Sequence, residues 1–266
     1  MKKFIFCFIF CASIALRIFS LNIVFDLGGV LFNVSATKIF YQHLGIKNIL
    51  LYCINNRKIP SGLKQTFFET LDAHYPYPNQ IKFAPSMHEN SNLPYLLHQN
   101  LVGELNAQTA LSNAYSAIEK SYYKNKFEKF LLNKIAEVTF DPTKFSSYTL
   151  PITQGFKLIK ECHNSGHSIY ILSNWAKESF EIIYKKYPEI FSLCNGIVIS
   201  GYEGTAKPNP KIFQILLNRF DLTAKETIFI DDQTENIYAA ESLGITAILC
   251  DNFKNVIQKL KNLSVI

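Results

Sequence analysis

The hydrophobic and polar positions of this 266-residue chain change their pattern along its length. Beyond residue 150, short runs that are apolar throughout alternate with amphipathic stretches, and one similar apolar run stands alone near the start. Runs without alternation are typical of parallel strands that are buried on both faces. The predicted strands are residues 21–25, 168–172, 196–199, 227–230 and 245–249. Together with the predicted helices between them, they favour a doubly wound, Rossmann-like α/β fold.

The amphipathic stretches after residue 150 predict helices over residues 176–187, 210–220, 234–243 and 253–263. The segment between the first strand and residue 150 has a different pattern, with a proline-containing middle and helical flanks. In one flank, apolar side chains recur every three or four positions, which predicts an amphipathic helix; they are Phe127, Phe130, Leu131, Ile135 and Val138. Asn106 is a predicted helix N-cap. We therefore predict a core made of residues 21–33 and 151–266, with residues 34–150 as an inserted, mostly helical cap domain.

The first twenty residues have the pattern of an export signal. Lys2 and Lys3 precede an uncharged, mostly apolar run over residues 4–16, and Ser13 and Ala15 supply a small-x-small cleavage motif. This run is shorter than a membrane-spanning helix requires, and Arg17 interrupts it. We predict a signal peptide over residues 1–20 and a secreted or periplasmic protein. The alternative is an N-terminal strand or helix packed on the core of a cytoplasmic protein.

Composition and charge narrow the classes of protein. Hydrophobic residues make up 48% of the chain and charged residues 18%, which excludes a disordered protein. The net charge of +6 falls to +3 or +4 if the signal is removed, so nucleic acid is not an expected partner. Four cysteines lie beyond the signal without Cys-x-x-Cys spacing, so no zinc site is expected; they are Cys53, Cys162, Cys194 and Cys250. Whether they pair as disulfides stays open.

Polar residues follow the first two core strands. Asp26 comes directly after residues 21–25, and Gly28 and Gly29 allow the backbone to turn and approach a ligand closely. Ser173 and Asn174 follow the next core strand, and both side chains can donate hydrogen bonds to an anion. Because ligands of open α/β sheets bind at the carboxyl ends of the strands, all of these residues are candidates for a binding site.

Charged residues follow the later core elements. Lys207 lies in a loop stiffened by prolines and can hold a positive charge against a phosphate. Asp231 and Asp232 follow residues 227–230, and adjacent carboxylates repel each other unless a cation compensates them. Hard oxygen ligands favour Mg²⁺. Asn236 follows one turn into the next predicted helix, where it can face the same cavity.

In this order, Asp, Ser-Asn, Lys-Pro and Asp-Asp, the motifs resemble those of the haloacid dehalogenase-like hydrolase superfamily. The resemblance covers residues 21–33 and 151–266, whereas the insertion is similar only in its position and helical character. It implies a hydrolase whose inserted cap closes over the site. It further implies that Asp26 is the nucleophile that forms an aspartyl-phosphate, and that Ser173, Asn174 and Lys207 bind the transferred phosphoryl group.

The same resemblance implies Mg²⁺ as the cofactor, held by Asp26, the Gly28 carbonyl and Asp232, with Asp231 acting on the metal site from behind them. The expected substrate is a small phosphorylated metabolite, with sugar phosphates among the candidates. A phosphatase of this family is therefore the predicted function.

One position departs from the family pattern. Phosphatases of this family usually carry a second Asp two residues after the nucleophile, where it protonates the leaving group, and here that position is Gly28. Two alternatives stay open: a 2-haloacid dehalogenase, which needs no metal and has little use for an Asp231–Asp232 pair, and a catalytically weak binding protein. Histidines of the insertion are other possible proton donors, without an assigned role; they are His74, His88 and His98.

Overall fold

The computed structural model describes residues 20–56, 61–78, 86–88, 91–122 and 124–266. The predicted signal peptide falls almost entirely outside these residues and stays a prediction. Within the described ranges, no helix is long and apolar enough to cross a membrane.

The described strands, in chain order, are β1 Asn22–Phe25, β2 Phe32–Val34, β3 Ser86–His88, β4 Ser91–Asn92, β5 Thr149–Pro151, β6 Ser168–Ser173, β7 Gly196–Ile199, β8 Thr227–Asp231 and β9 Thr246–Leu249. The described α-helices are α1 Ala36–Lys38, α2 Ile46–Asn56, α3 Ser61–His74, α4 Tyr95–Leu101, α5 Ala107–Lys120, α6 Lys126–Phe140, α7 Pro142–Tyr148, α8 Thr153–Asn164, α9 Lys177–Lys186, α10 Pro188–Phe191, α11 Ser200–Glu203, α12 Pro210–Arg219, α13 Thr234–Glu241 and α14 Phe253–Asn262. A π-helix, Ile39–Leu44, and a 3₁₀-helix, Ala224–Glu226, complete the helical segments of these residues.

The central sheet of the described chain has five parallel strands in the order β7-β6-β1-β8-β9. Strand β1 lies in the middle, where Phe25 is in register with Ile171 on one side and Ile230 on the other. Its side chains alternate between two hydrophobic clusters: Ile23 and Phe25 belong to one and Val24 to the other, all fully buried. A strand that is apolar on both faces needs helices on both faces.

Helices cover both faces of this sheet. Helices α8, α9, α10 and α14 pack on the face of Ile23, and α12 and α13 on the face of Val24. This arrangement confirms the doubly wound α/β fold. The predicted core strands agree with the observed ones to within one residue at each end, and the predicted core helices end one or two residues too late.

The described residues between positions 36 and 148 form a separate, mostly helical layer with a hydrophobic cluster of its own, drawn from the π-helix and α2 to α6. Helix α6 contains the predicted amphipathic repeat and buries Leu131 and Ala136. Asn106 caps α5 as predicted, because its side chain accepts a hydrogen bond from Thr109 N at 2.8 Å.

The chain enters and leaves this layer through a two-stranded antiparallel ribbon. Strands β2 and β5 form it, and Val34 pairs with Thr149. The sequence pattern did not predict this ribbon, because its strands are only three residues long and pair across more than a hundred positions. It supports a division of the chain near residues 33 and 151, which we propose as the boundary between core and cap.

The described cysteines are free thiols; they are Cys53, Cys162, Cys194 and Cys250. Burial raises the pKa of Cys162 and of Cys194 to about 12, which suppresses their reactive thiolate forms. Cys162 and Cys194 therefore behave as apolar packing groups.

Candidate active site

Three adjacent strands bring polar side chains to one edge of the sheet. Ser173 ends β6, Asp26 follows β1 and Asp231 ends β8, and these strands are neighbours in the order β6-β1-β8. Asp232 follows Asp231 directly. The carboxylate oxygens of Asp26, Asp231 and Asp232 lie within 4.8 Å of one another. Residues separated by some 200 positions thus meet because parallel strands present their carboxyl ends on the same edge.

Lys207 lies between two of these carboxylates. Its Nζ is 2.5 Å from Asp231 Oδ2 and 2.9 Å from Asp26 Oδ1, and it donates a hydrogen bond to the carbonyl of Leu172 at 3.0 Å. The side chain is only 1% exposed. Burial lowers the pKa of Lys207, but the Asp231 and Asp26 carboxylates outweigh that effect and raise it above its ordinary value. The lysine is therefore a buried ammonium ion with three oxygen neighbours.

Asn174 holds the backbone of this lysine. Its Nδ2 donates to the Lys207 carbonyl at 2.9 Å, and its Oδ1 accepts from the Lys207 N–H at 2.8 Å. This reciprocal pair fixes the loop that delivers the ammonium group. The sequence assigned Asn174 a contact with substrate, and the structure shows it bound to the loop of Lys207.

Both carboxylate oxygens of Asp231 accept two hydrogen bonds each. Its Oδ1 accepts from Gln233 N at 2.8 Å and from Asn236 Nδ2 at 3.0 Å, and its Oδ2 accepts from Lys207 and from Asn236. It is fully buried. With its lone pairs used in this way, Asp231 is suited to orienting Lys207 and Asn236, whereas Asp26 and Asp232 keep more capacity for a ligand.

The two glycines after Asp26 have different surroundings. Gly29 has a φ of +69°, and a Cβ there would lie 2.1 Å from Asp232 Oδ2, so only glycine fits. A Cβ on Gly28 would have its nearest neighbour, Asp26 Oδ2, at 3.8 Å, an ordinary contact. The turn thus requires glycine at position 29, whereas position 28 has room for a side chain.

Burial and mutual repulsion perturb the carboxylates. Burial raises the pKa of Asp26 to about 7, with Lys207 opposing and Asp231 and Asp232 adding to the rise. The pKa of Asp232 is raised to about 6 by partial loss of hydration and by Asp231, although this residue is the most exposed of the three acids. Three carboxylates against one ammonium leave a formal excess of two negative charges. A divalent cation would neutralise it.

The donor set fits Mg²⁺. Asp26 and Asp232 offer hard oxygen ligands, and the Asp231 carboxylate lies within 4.8 Å of both. The contact of Asp26 Oδ1 with Lys207 is an ion pair rather than an aligned hydrogen bond, because this buried oxygen has no hydrogen-bond partner within the described part of the chain.

A cavity of about 370 Å³ lies above these residues. Asp26, Lys207 and Asp232 line one end of it, and Leu97 and Leu101 of α4 close it from the insertion. The sequence did not single out α4, because nothing in its local pattern indicates that this helix faces the core.

Two groups of predicted residues lie apart from this cavity. Ser173 is 1% exposed and does not line it, and its Oγ has no hydrogen-bond partner among the residues that the structure describes. His74 and His98 do not line it either, and burial lowers the pKa of His98. The side chain of His88 lies outside the described part of the structure.

Known proteins are similar to this chain in sequence. A family model described as haloacid dehalogenase-like hydrolase matches residues 22–244. A sesquiterpene phosphatase of Aspergillus oryzae is 32% identical over 91 residues, which is 34% of this chain and 46% of that protein. A glyceraldehyde 3-phosphate phosphatase of Pyrococcus abyssi is 26% identical over 114 residues, 42% of this chain and 46% of that protein. The matches span less than half the length of these relatives.

Solved structures share the fold. A HAD family enzyme from Bacteroides thetaiotaomicron is similar with a TM-score of 0.55 and 19% identity, covering 86% of this chain and 93% of that one. Its complex with magnesium and inorganic phosphate gives a TM-score of 0.52 at 18% identity, over 86% of this chain and 93% of that one. At such identity the similarity establishes the fold alone.

Proposed function

This chain belongs to the haloacid dehalogenase-like hydrolase family, and we propose that it is a Mg²⁺-dependent phosphatase that hydrolyses a small phosphomonoester through an aspartyl-phosphate on Asp26. The observation that carries this proposal is the buried ion pair of Asp26 with Lys207, 2.9 Å apart in a cavity that Asp232 also lines. The names of the similar phosphatases from Aspergillus oryzae and Pyrococcus abyssi support it.

In the first step a carboxylate oxygen of Asp26 attacks phosphorus. The bond from phosphorus to the ester oxygen breaks, and the leaving oxygen takes the electron pair and then a proton from water. In the second step water attacks the phosphorus of the aspartyl-phosphate and releases inorganic phosphate and the Asp26 carboxylate. One difficult displacement is thereby divided into two easier ones.

Lys207 compensates charge in both steps. Because Asp231, Leu172 and the loop contact with Asn174 hold it in place, its ammonium group needs no reorganisation when negative charge develops on the phosphoryl oxygens. Ser173 does not line the cavity, but it ends the strand next to that of Asp26 and its buried hydroxyl has no hydrogen-bond partner in the described structure, so we assign it as a further donor to the phosphoryl group. Asn174 acts mainly through the position of Lys207.

Asp26, Asp232 and the Gly28 carbonyl would hold Mg²⁺, with Asp231 behind them orienting Lys207. When bound, the ion supplies positive charge that neutralises the carboxylates and the phosphoryl oxygens. Gly28 provides no acidic side chain, so this chain itself offers no proton donor at the usual family position. Among esters that bind equally well, those with good leaving groups should therefore be hydrolysed faster.

Hydrolysis of p-nitrophenyl phosphate tests the proposal. We expect turnover that requires Mg²⁺, stops with EDTA and is lost in Asp26→Asn. Asp251→Asn is the matched control, because Asp251 is exposed and does not line the cavity. Chloride release from chloroacetate that is unaffected by EDTA would instead establish a dehalogenase. Retained phosphate binding without turnover of any ester would identify a binding protein.

A further inference from the structure

The cavity above Asp26 is polar at one end and apolar along most of its remaining wall. Phe32 and Trp175 contribute the core side, and Phe145, Leu97 and Leu101 the insertion side. Trp175 packs edge-to-face against Phe145, with ring centroids 5.5 Å apart, and against Phe32 at 6.5 Å. Interlocked rings of this kind form a rigid surface that favours contact with hydrocarbon.

Two polar side chains of this wall, Ser179 and Asn100, already donate hydrogen bonds to backbone carbonyls. Ser179 Oγ donates to the carbonyl three residues before it, 3.0 Å away, and Asn100 Nδ2 to the carbonyl five residues after it, at 3.1 Å. Beyond Asp26, two cavity-lining groups are buried without a hydrogen-bond partner among the described residues: the Trp175 indole N–H and the Asn236 amide oxygen. Thr139 also lines the cavity and is half-buried. Asn33 is exposed at the rim.

We propose that the substrate is the monophosphate ester of an apolar alcohol, with its phosphate at Asp26 and its hydrocarbon portion against Phe32, Phe145, Trp175 and Leu101; this inference rests on the phosphatase activity proposed above. A sugar phosphate carries several hydroxyl groups, and each needs a partner when it leaves water. Apart from the half-buried Thr139, the buried wall offers the Trp175 indole N–H and the Asn236 amide oxygen as unpartnered groups, so it disfavours the sugar phosphates that the sequence left open.

Competition between two six-carbon primary monophosphates tests this inference. Acetyl phosphate, which is too small to reach the apolar wall, serves as the reporter substrate with Mg²⁺, and hexyl phosphate and glucose 6-phosphate are compared as competitors. We expect the inhibition constant of hexyl phosphate to be at least roughly tenfold lower. From propyl to hexyl phosphate it should fall by roughly fourfold per methylene. Equal or stronger competition by glucose 6-phosphate would overturn the inference.

Variants of the wall give a second test. Leu101→Asn keeps the branching and the number of side-chain heavy atoms but replaces hydrocarbon by an amide. We expect it to weaken the binding of hexyl phosphate at least roughly tenfold more than that of acetyl phosphate. The matched control is Leu50→Asn on α2, where the leucine is 57% exposed and does not line the cavity. This variant should bind hexyl phosphate and acetyl phosphate as the unsubstituted protein does. Thr139→Val makes the wall more apolar without a change of size. The variant should bind hexyl phosphate as tightly as the unsubstituted protein or more tightly. Weaker hexyl phosphate binding in Thr139→Val would contradict the inference.

The failure of this inference and that of the proposed function have different signatures. If acetyl phosphate is hydrolysed and glucose 6-phosphate competes as well as hexyl phosphate, the phosphatase function stands and only the inference of an apolar substrate is rejected. If no phosphate ester or anhydride is hydrolysed with Mg²⁺, the phosphatase is wrong. Calorimetric titration with hexylphosphonate then tests the cavity directly: binding supports an apolar phosphate ligand, and absence of binding rejects it.

Discussion

Lys207 Nζ lies 2.5 Å from Asp231 Oδ2, and neither side chain is more than 1% exposed. The same ammonium group is 2.9 Å from Asp26 Oδ1. The ammonium group of Lys207 therefore neutralises two buried carboxylates. Asp231 holds this ammonium group in place beside Asp26, the proposed nucleophile. A buried charge that loses its partner is costly, so this pair couples the stability of the core to the chemistry of the site.

Lys207→Met should harm both stability and catalysis. The substitution leaves Asp26 and Asp231 buried without their cation, and we expect the free energy of unfolding to fall by about 3–5 kcal/mol. We expect kcat to fall by roughly 10²–10³-fold or more because a fixed positive charge at the phosphoryl group is lost. Urea denaturation and turnover of p-nitrophenyl phosphate measure the two effects. Lys211→Met, at an exposed position, is the control and should change neither.

Gly29→Ala and Gly28→Ala should differ although the positions are adjacent. At Gly29 the new Cβ meets the Asp232 carboxylate at 2.1 Å and the backbone has a φ of +69°. We expect a loss of at least about 1–2 kcal/mol of stability and weaker Mg²⁺ binding. At Gly28 the nearest atom is 3.8 Å away, so its alanine variant should retain both properties. Thermal unfolding and Mg²⁺ titration compare the pair, and equal effects would show that the turn geometry is not the reason.

Gly28→Asp should raise activity on esters with poor leaving groups. Position 28 has room for a side chain, and a carboxylic acid there can donate the proton that the leaving alkoxide needs, an effect worth roughly 10²–10⁴-fold where the geometry is good. We expect kcat for alkyl phosphates to rise by at least roughly tenfold, and kcat for aryl phosphates to change little. The control is Gly28→Asn, whose side chain has nearly the same shape as that of Gly28→Asp but carries no carboxylic acid proton. If both variants behave alike, proton donation is not the limiting contribution.

Mg²⁺ binding should depend steeply on pH. Without metal, the pKa of Asp26 is raised to about 7 and that of Asp232 to about 6, so both hold protons that the cation must displace. Between pH 6 and 7 mainly Asp26 is still protonated, and the affinity should rise by roughly tenfold per pH unit. Isothermal titration calorimetry in buffers of different ionisation enthalpy counts the released protons. Affinity that is constant from pH 6 to 8 would contradict the proposed ligand set.

The same pKa values set the sign of a stability effect. Because folded Asp26 and Asp232 bind protons more tightly than in the unfolded chain, their contribution to the stability of the metal-free protein falls as pH rises from about 4 to 7. Added Mg²⁺ should therefore raise Tm more at pH 8 than at pH 5. A larger shift at pH 5 would reverse this assignment.

The sequence by itself determined the core and the identity of the reactive groups. Apolar runs such as residues 196–199 are strands wherever they are buried on both faces, and a polar residue at the end of such a run must lie at the edge of the sheet. Asp26, Lys207 and Asp232 were recognisable for that reason, and their order along the chain carried the family resemblance.

Only the tertiary structure decided which role each of these residues can take in the site. Asp231 and Asp232 are adjacent in sequence, yet one is saturated by Lys207, Asn236 and a backbone N–H, and the other is open to the cavity. Gly28 and Gly29 are equivalent in sequence, and only one is sterically required. Leu101 of the insertion and Trp175 of the core line the same cavity. Each of these differences depends on contacts between residues far apart in the chain, and no local pattern specifies such contacts.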